Sequence, residues 1–146
     1  MKKFFCVLLL LTALVYSRVE LFSQAKVPIK ITGIRSNLGS IRLAVYQNRQ
    51  QYENNKPSLK RIIPKATLRN GTLSVDVDLE DGVYGIAILD DENDNGKMDY
   101  GLVLPSEGFG FSNYYLTSLS QPSFENFKIQ IKKDDLLTVV VKMKYF

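Results

Sequence analysis

The stretch Leu73-Ser74-Val75-Asp76-Val77-Asp78-Leu79 decides the fold class of this protein. Apolar side chains occupy every second position, and serine or aspartate fills the positions between them. Because successive side chains of a β-strand point to opposite faces of the sheet, this alternation predicts a strand with one buried and one solvated face. The dipeptide Asn70-Gly71, just before it, is typical of a two-residue hairpin turn.

The same alternation recurs on both sides of this stretch, whereas helical periodicity is confined to one short turn expected within residues 47–59. Strands are predicted at residues 27–31, 41–46, 61–68, 73–79, 84–88, 127–131 and 137–143. Proline within the third suits an edge strand. The predicted fold is all-β: a seven-stranded antiparallel β-sandwich with one long loop over residues 90–123. The predicted interior residues are Leu73, Val75, Val77, Ile86, Ile88, Ile129, Ile131, Val139 and Val141.

Residues 1–25 have the features of a secretory signal peptide. Two lysines precede an apolar run, Phe4–Tyr16, that is too short to span a bilayer, and the small residues Ser23 and Ala25 predict cleavage after Ala25. The alternative is an uncleaved N-terminal anchor. Cleavage would leave residues 26–146 as a single domain that does not span the membrane, exported to the periplasm or to the cell surface.

The composition excludes several kinds of chemistry. The 146 residues include no histidine and one cysteine, so the Ser-His-Asp and Cys-His types of catalysis, HExxH metalloproteases and Cys/His zinc sites are all excluded. The net charge is +4, and the predicted leader contributes three basic residues and one acidic residue. Such a small excess does not predict nucleic acid as a partner.

The long loop begins with a pattern typical of calcium-binding loops. Side-chain oxygens at alternate positions can converge on one cation, and a glycine at the sixth position permits the sharp turn. The twelfth position, which is a bidentate glutamate in an EF-hand, is Leu102 here. The predicted ligands of Ca²⁺, or of a similar hard cation, are Asp91, Asn93, Asn95 and Asp99.

The same residue types also form turns without any ion. Aspartate and asparagine side chains hydrogen-bond to nearby backbone amides, and asparagine followed by glycine accepts left-handed conformations. Acidic residues are nevertheless concentrated here: residues 90–99 contain five acids and one base, Lys97. Such a cluster must be solvated or neutralised. Both interpretations, a cation site and an ion-free turn, are open at this point.

Three segments resemble one known family in the order in which that family carries them. They are the stretch from Gly82 to Asp99, the stretch Pro105-Ser-Glu-Gly-Phe-Gly-Phe-Ser-Asn113, and Pro122-Ser-Phe-Glu125. The chain thus resembles domain-of-unknown-function family 2141, which consists of small exported bacterial proteins. The resemblance implies an immunoglobulin-like or transthyretin-like sandwich and no established activity. Many members have histidine where this chain has Asp90, so a chemical role of that histidine could not operate here.

A segment rich in glycine and aromatic residues follows the acidic loop. Aromatic rings between glycines can form a stacking platform for a sugar or a peptide. The alternative is that the rings fold back and plug one end of the sandwich, because large apolar side chains more often belong to cores than to ligand sites. The predicted ligand contacts are Glu107, Phe109, Phe111 and Tyr114.

Two classes of function follow from these observations. The first is an exported, non-catalytic module with a binding or structural role in the envelope, whose partner is a glycan, a peptide or a protein. The alternative is a hydrolase acting on glycans through two carboxyl groups, Asp90 or Asp91 with Glu107, because glycoside hydrolysis needs no histidine. Since the sequence shows no nucleophile paired with a base, the binding module is favoured.

Overall fold

Eight strands form two β-sheets in the computed structural model, which describes residues 24–118, 120–133 and 136–146. The strands are β1 (Ala25–Thr32), β2 (Ser40–Tyr46), β3 (Leu59–Pro64), β4 (Thr72–Leu79), β5 (Gly82–Asp91), β6 (Gly108–Phe111), β7 (Lys128–Ile131) and β8 (Val139–Lys142). Two short helices are α1 (Arg49–Glu53) and α2 (Phe124–Phe127), and a 3₁₀ turn covers Lys65–Thr67. None of the helices in the described residues has the length and apolarity needed to cross a membrane.

The two sheets have three and five strands. The smaller sheet has the order β4-β1-β8, and the larger has the order β3-β2-β5-β6. Strands β6 and β7 share one edge of β5, because β7 pairs with its first half and β6 with its second half. Ser112 joins these two partners: its buried hydroxyl accepts from the Ile86 amide at 2.9 Å and donates to the Phe127 carbonyl at 2.6 Å.

The main core lies between the sheets and contains the residues that the alternation places inside. Eight of the nine predicted interior residues are buried, and Val75 is half-buried against the same cluster. The phase of the predicted strands is therefore confirmed. A second, aromatic cluster lies where α1 and α2 cover the larger sheet, and it consists of Tyr46, Tyr52, Phe111, Phe124 and Phe127.

The predicted strand count was wrong by one, and the additional strand is β6. Its sequence, Gly-Phe-Gly-Phe, lacks the β-branched alternation that marks a strand. The glycines are required because a Cβ at Gly110 would lie 2.6 Å from the Val141 side chain, and one at Gly108 would overlap the Tyr145 ring. Glycine inside a strand marks such close approach, so β6 pairs within a segment predicted to be loop.

Two further details differ from or refine the prediction. Strand β8 pairs with β1 in parallel, so the sandwich is not wholly antiparallel. The strand predicted at 61–68 ends at Pro64, pairs only with β2 and is thus an edge, as the proline indicates. The Asn70-Gly71 turn is confirmed: both residues have positive φ, and Arg69 and Thr72 exchange two backbone hydrogen bonds of 2.9 Å.

Candidate functional site

The segment that runs from the last residue of β5 to β6 folds into two parts. The first, the Asp loop, covers Asp91–Asp99. The second, the apolar hairpin, covers Tyr100–Pro105 and is closed by a bridge between its two end residues and by a 2.8 Å hydrogen bond from the Gly101 amide to the Leu104 carbonyl. Leu102 and Val103 form its tip and are 105% and 84% exposed.

Asp91 organises the start of the Asp loop from a fully buried position. Its two carboxylate oxygens accept the backbone amides of Asn95 at 3.0 Å and Gly96 at 2.9 Å, and the carboxylate forms an ion pair with Arg42 of β2. Burial alone would raise the pKa of Asp91, but the Arg42 guanidinium and the Gly96 amide outweigh it and hold this pKa below its usual range. Asp91 is therefore ionised: it accepts hydrogen bonds from two backbone amides of the loop and already has the Arg42 guanidinium as its cation partner.

The other three predicted metal ligands converge on one point. The side-chain amides of Asn93 and Asn95 each donate to the same oxygen of Asp99, at 2.6 Å. The Asn93 side chain also accepts the Asn95 amide, and the Asn95 side chain accepts the Lys97 amide, both at 3.0 Å. This is the ion-free arrangement, since a cation at this point would require both amides to turn their oxygens towards it.

The described residues contain no group of three or more His, Cys, Asp or Glu side chains placed to hold a metal. Within the Asp loop, Asp91 faces Arg42, and Asp99 is hydrogen-bonded to the two asparagines. The predicted ligands are thus neighbours in space, but Asp91 is directed to a different partner from the other three. The calcium site stays a prediction, and the geometry favours the ion-free turn.

Asp90, the residue before the loop, belongs to a buried polar cluster. Its carboxylate accepts the Tyr145 hydroxyl at 2.6 Å and forms an ion pair with Lys65 of the 3₁₀ turn. The Lys65 ammonium also donates to the carbonyls of Ser36 at 3.1 Å and Leu38 at 2.5 Å. The ammonium therefore contacts one carboxylate oxygen and two carbonyl oxygens. Burial and the bond to Asp90 raise the pKa of Tyr145 far above its usual range, so the phenol stays neutral.

Glu107 closes the base of the apolar hairpin. It is buried, and its two oxygens accept the backbone amides of Glu92 at 3.0 Å and Asp99 at 3.3 Å. The Ser106 amide donates to the Asp99 carbonyl at 2.9 Å. This bond continues the backbone pairing of the hairpin by one more residue on each side. This predicted ligand contact therefore holds the two strands of the hairpin together from inside the protein.

Arg35, from the connection between β1 and β2, fixes the outer side of the same base. Its guanidinium pairs with both oxygens of Glu92, at 3.1 and 2.5 Å, and donates to the Ser106 carbonyl at 2.9 Å. The guanidinium also stacks over the Tyr145 ring, 4.5 Å from its centroid. The hydrogen bonds from Arg35 lower the pKa of Glu92, which is consequently ionised at neutral pH.

The aromatic residues after Glu107 mostly serve the core. Phe111 is buried, with its ring centroid 4.9 Å from that of Phe127. Phe109 and Tyr114 are half-buried and pack against the same aromatic cluster. The rings therefore serve a core, as the alternative to a stacking platform predicts, but they lie under the two helices on the larger sheet rather than at one end of the sandwich. Only parts of Phe109 and Tyr114 are accessible to a ligand.

The sequence match to known families covers most of the domain just described. Residues 29–138 match the profile of a family described as an uncharacterized protein conserved in bacteria. The chain belongs to domain-of-unknown-function family 2141. The resemblance seen in its three motifs is therefore confirmed. No curated protein and no solved structure matches this family 2141 chain.

The same family 2141 chain carries a group of exposed and partly exposed apolar and basic residues beside the loop. Residues 101–106 and Phe146 line a shallow groove. The Lys144 ammonium lies 5.1 Å from the Phe146 ring centroid and 5.7 Å from that of Tyr115, and the Lys142 ammonium lies 4.5 Å from the Tyr115 centroid. We call the surface formed by residues 101–106, Tyr115, Lys142, Lys144 and Phe146 the hairpin surface.

Sequence reasoning missed the basic partners of the acidic loop. Arg35, Arg42 and Lys65 all lie far from the loop along the chain. The available signal was the excess of acids over bases within residues 90–99, which requires neutralisation but does not identify its source.

Proposed function

We propose that this protein is an exported, non-catalytic binding module of the bacterial envelope, and that it binds through the hairpin surface. The observation that carries the proposal is the placement of Leu102 and Val103, two adjacent apolar side chains exposed at the tip of a closed hairpin. Exposed apolar groups that are contiguous mark interaction sites more often than those scattered singly.

The base of the hairpin supports this proposal because it is rigidly held. Glu107 binds two loop amides from inside, and Arg35 joins Glu92 to the Ser106 carbonyl from outside. A surface that is ordered before binding loses less conformational entropy when its partner arrives. The buried carboxylates thus have a role that fits a binding module: they hold the apolar tip in one position.

The carboxylate network does not favour the hydrolase alternative. A glycosidase needs two carboxyl groups that face the scissile bond from an accessible cleft. Asp90, Asp91 and Glu107 are all buried, and each uses its oxygens for partners within the protein. Their geometry supports a structural role for all three.

The binding proposal is tested with envelope fragments from the bacterium that makes the protein. Purified protein is mixed with these fragments, and the sedimented fraction is measured for the wild type and for the double variant Leu102→Ser/Val103→Ser. A matched control is Ile62→Ser, since Ile62 is also exposed but lies on β3, at the opposite edge of the larger sheet from β6.

We expect the wild type and Ile62→Ser to sediment equally and the hairpin variant to remain in solution. Circular dichroism and melting curves should be alike in all three proteins, because the substituted side chains are solvent-exposed. Absence of wild-type binding, or equal binding by the hairpin variant, would remove the support for the proposed function.

Export is tested separately by N-terminal sequencing of the protein isolated from the envelope. Cleavage after Ala25 predicts Lys26 as the first residue. Residues 1–23 lie outside the described residues, whereas Ala25 is the buried first residue of β1 and pairs with Leu79, so this cleavage would shorten β1 by one residue. Retention of Met1 would contradict cleavage, and recovery from the cytoplasm alone would contradict export.

A further inference from the structure

The tip of the apolar hairpin is convex. Leu102 and Val103 extend from the turn between Gly101 and Leu104, and their side chains are almost fully exposed. A protruding pair of aliphatic side chains can enter a deformable apolar medium without a pocket of matching shape. The boundary between headgroups and acyl chains of a lipid bilayer is such a medium.

Aromatic side chains and lysines continue from this tip along the hairpin surface. Phe146 lines the groove with the hairpin, and Tyr115 lies beyond it, in contact with the ammonium groups of Lys142 and Lys144. Phe146 and Tyr115 are both exposed. Tyrosine is favoured at the level of lipid headgroups because its ring is apolar and its hydroxyl is polar.

The two lysines of the hairpin surface favour an anionic partner. Within the described ranges, neither Lys142 nor Lys144 forms an ion pair with a carboxylate. Of the nearby acids, Glu92 is neutralised by Arg35, whereas Asp99 and Glu107 accept hydrogen bonds from neutral amides and keep their charges within the loop. The lysines are therefore available to negatively charged headgroups, each worth about 1 kcal/mol near such a surface.

Resting on the proposed function, we infer that the partner of the hairpin surface is an anionic lipid bilayer. Leu102 and Val103 enter the boundary between headgroups and acyl chains, and Tyr115 and Phe146 lie at the headgroup level. Lys142 and Lys144 contact the lipid phosphates. The protein thus lies on the membrane surface through the edge of its sandwich and does not span the bilayer.

The test is co-sedimentation with lipid vesicles of two compositions. One set contains phosphatidylcholine alone, and the other contains equal amounts of phosphatidylcholine and phosphatidylglycerol. We expect binding to the anionic vesicles that weakens as salt is raised, because exposed charges are screened. Absent binding to the anionic vesicles, or equal binding to both sets, would overturn the inference.

Two double variants separate the apolar contribution from the charged one. Leu102→Ser/Val103→Ser should weaken binding to anionic vesicles by about tenfold or more, since it removes the inserted apolar groups. Lys142→Gln/Lys144→Gln should weaken it by roughly thirtyfold and abolish the preference for anionic lipid. The matched controls, Ile62→Ser and Lys60→Gln, change exposed residues of β3 and should bind like the wild type. Controls that lose as much binding as the test variants would overturn the inference.

The vesicle and envelope experiments together distinguish the two levels of the proposal. Envelope binding that depends on the hairpin, without any binding to anionic vesicles, would refute the lipid partner and support a glycan or protein partner for the same surface. Absence of both kinds of binding would refute the proposed function itself. Binding to both, with the same variants defective in each, would support both statements.

Discussion

Replacement of Lys65 by methionine should severely destabilise the fold. The Lys65 ammonium is buried between the carboxylate of Asp90 and the carbonyls of Ser36 and Leu38. Methionine fills a similar volume but donates no hydrogen bond. The Asp90 carboxylate, which is fully buried, would then keep only the hydroxyl of Tyr145 as a partner.

The expected loss follows from the charge that is left behind. Removal of one member of a buried ion pair costs about 3–5 kcal/mol, because the remaining charge stays out of water without compensation. A domain of this size has a free energy of unfolding of about 5–15 kcal/mol. The melting temperature of Lys65→Met should therefore fall by roughly 10–20 °C.

A double variant tests whether the uncompensated charge is the cause. In Lys65→Met/Asp90→Asn the buried charge is absent, and the asparagine oxygen still accepts from Tyr145. We expect this protein to be about 1–2 kcal/mol more stable than Lys65→Met alone, because it no longer carries the uncompensated buried charge that accounts for much of that variant's loss. Urea unfolding gives the free energies for all members of the cycle.

The control is Lys60→Met, which changes an exposed lysine of β3 and should stay within about 0.5 kcal/mol of the wild type. Two results would refute the reasoning. One is a loss below about 1 kcal/mol in Lys65→Met. The other is a double variant whose loss equals the sum of the two single losses, because additive effects would show that the two side chains do not interact.

Three further predictions concern the Asp loop. Gly39 has φ +64°, and a Cβ there would overlap the carbonyl oxygen of Asp91. Gly39→Ala should therefore lower the free energy of unfolding, measured in urea, by about 2–5 kcal/mol. The control is Gly101→Ala, whose Cβ would meet only the Leu104 carbonyl at 3.6 Å and which should lower it by less than about 1 kcal/mol. The pKa values of Asp91 and Glu92 are lowered in the folded state, so their stabilisation is fully present above the ordinary carboxyl pKa values of about 4 and is lost as the pH falls through the lower folded values. Arg42→Met should make the urea midpoint less dependent on pH in this range. An unchanged pH profile would argue against the ion pair. Since Arg42 already neutralises Asp91, melting curves recorded with calcium and with chelator should coincide. A melting temperature that rises with calcium concentration in the wild type, but not in Asp91→Ala, would instead establish the cation site.

The sequence predicts a strand well where one face of the strand packs on the core and the other faces water. Residues 73–79 alternate cleanly because β4 has one face on the core and one in water, and its buried residues were predicted in the right phase. Strand β6 was missed because its Gly-Phe repeat reflects contacts with Tyr145 and Val141 rather than β-propensity. The parallel pairing of β1 with β8 could not be predicted, since alternation carries no information about strand direction.

The candidate site was predicted only in part for a related reason. The acidic residues are adjacent in the sequence, so their clustering and the sharp turn at Gly96 are local properties that the pattern reveals. Their partners are not local. Arg42 reaches Asp91 only because β2 pairs with β5, and this register places Ser40 opposite Asp91. A pattern of acids and turns therefore could not decide between an ion and a protein cation.

The order of the apolar hairpin depends on the assembled sandwich. The three basic groups that neutralise its base come from the connection before β2, from β2 itself and from the turn after β3: Arg35, Arg42 and Lys65. An isolated peptide covering residues 90–107 would lack all three cations, and its six acids would repel one another. The tip is thus held in one position only when the larger sheet and the connection that leads into it from β1 have formed. A low pH, or a substitution that removes the ion pair between Arg35 and Glu92, should therefore weaken binding through the hairpin before the main core unfolds. The reason is that the main core is held by apolar packing, which does not depend on pH.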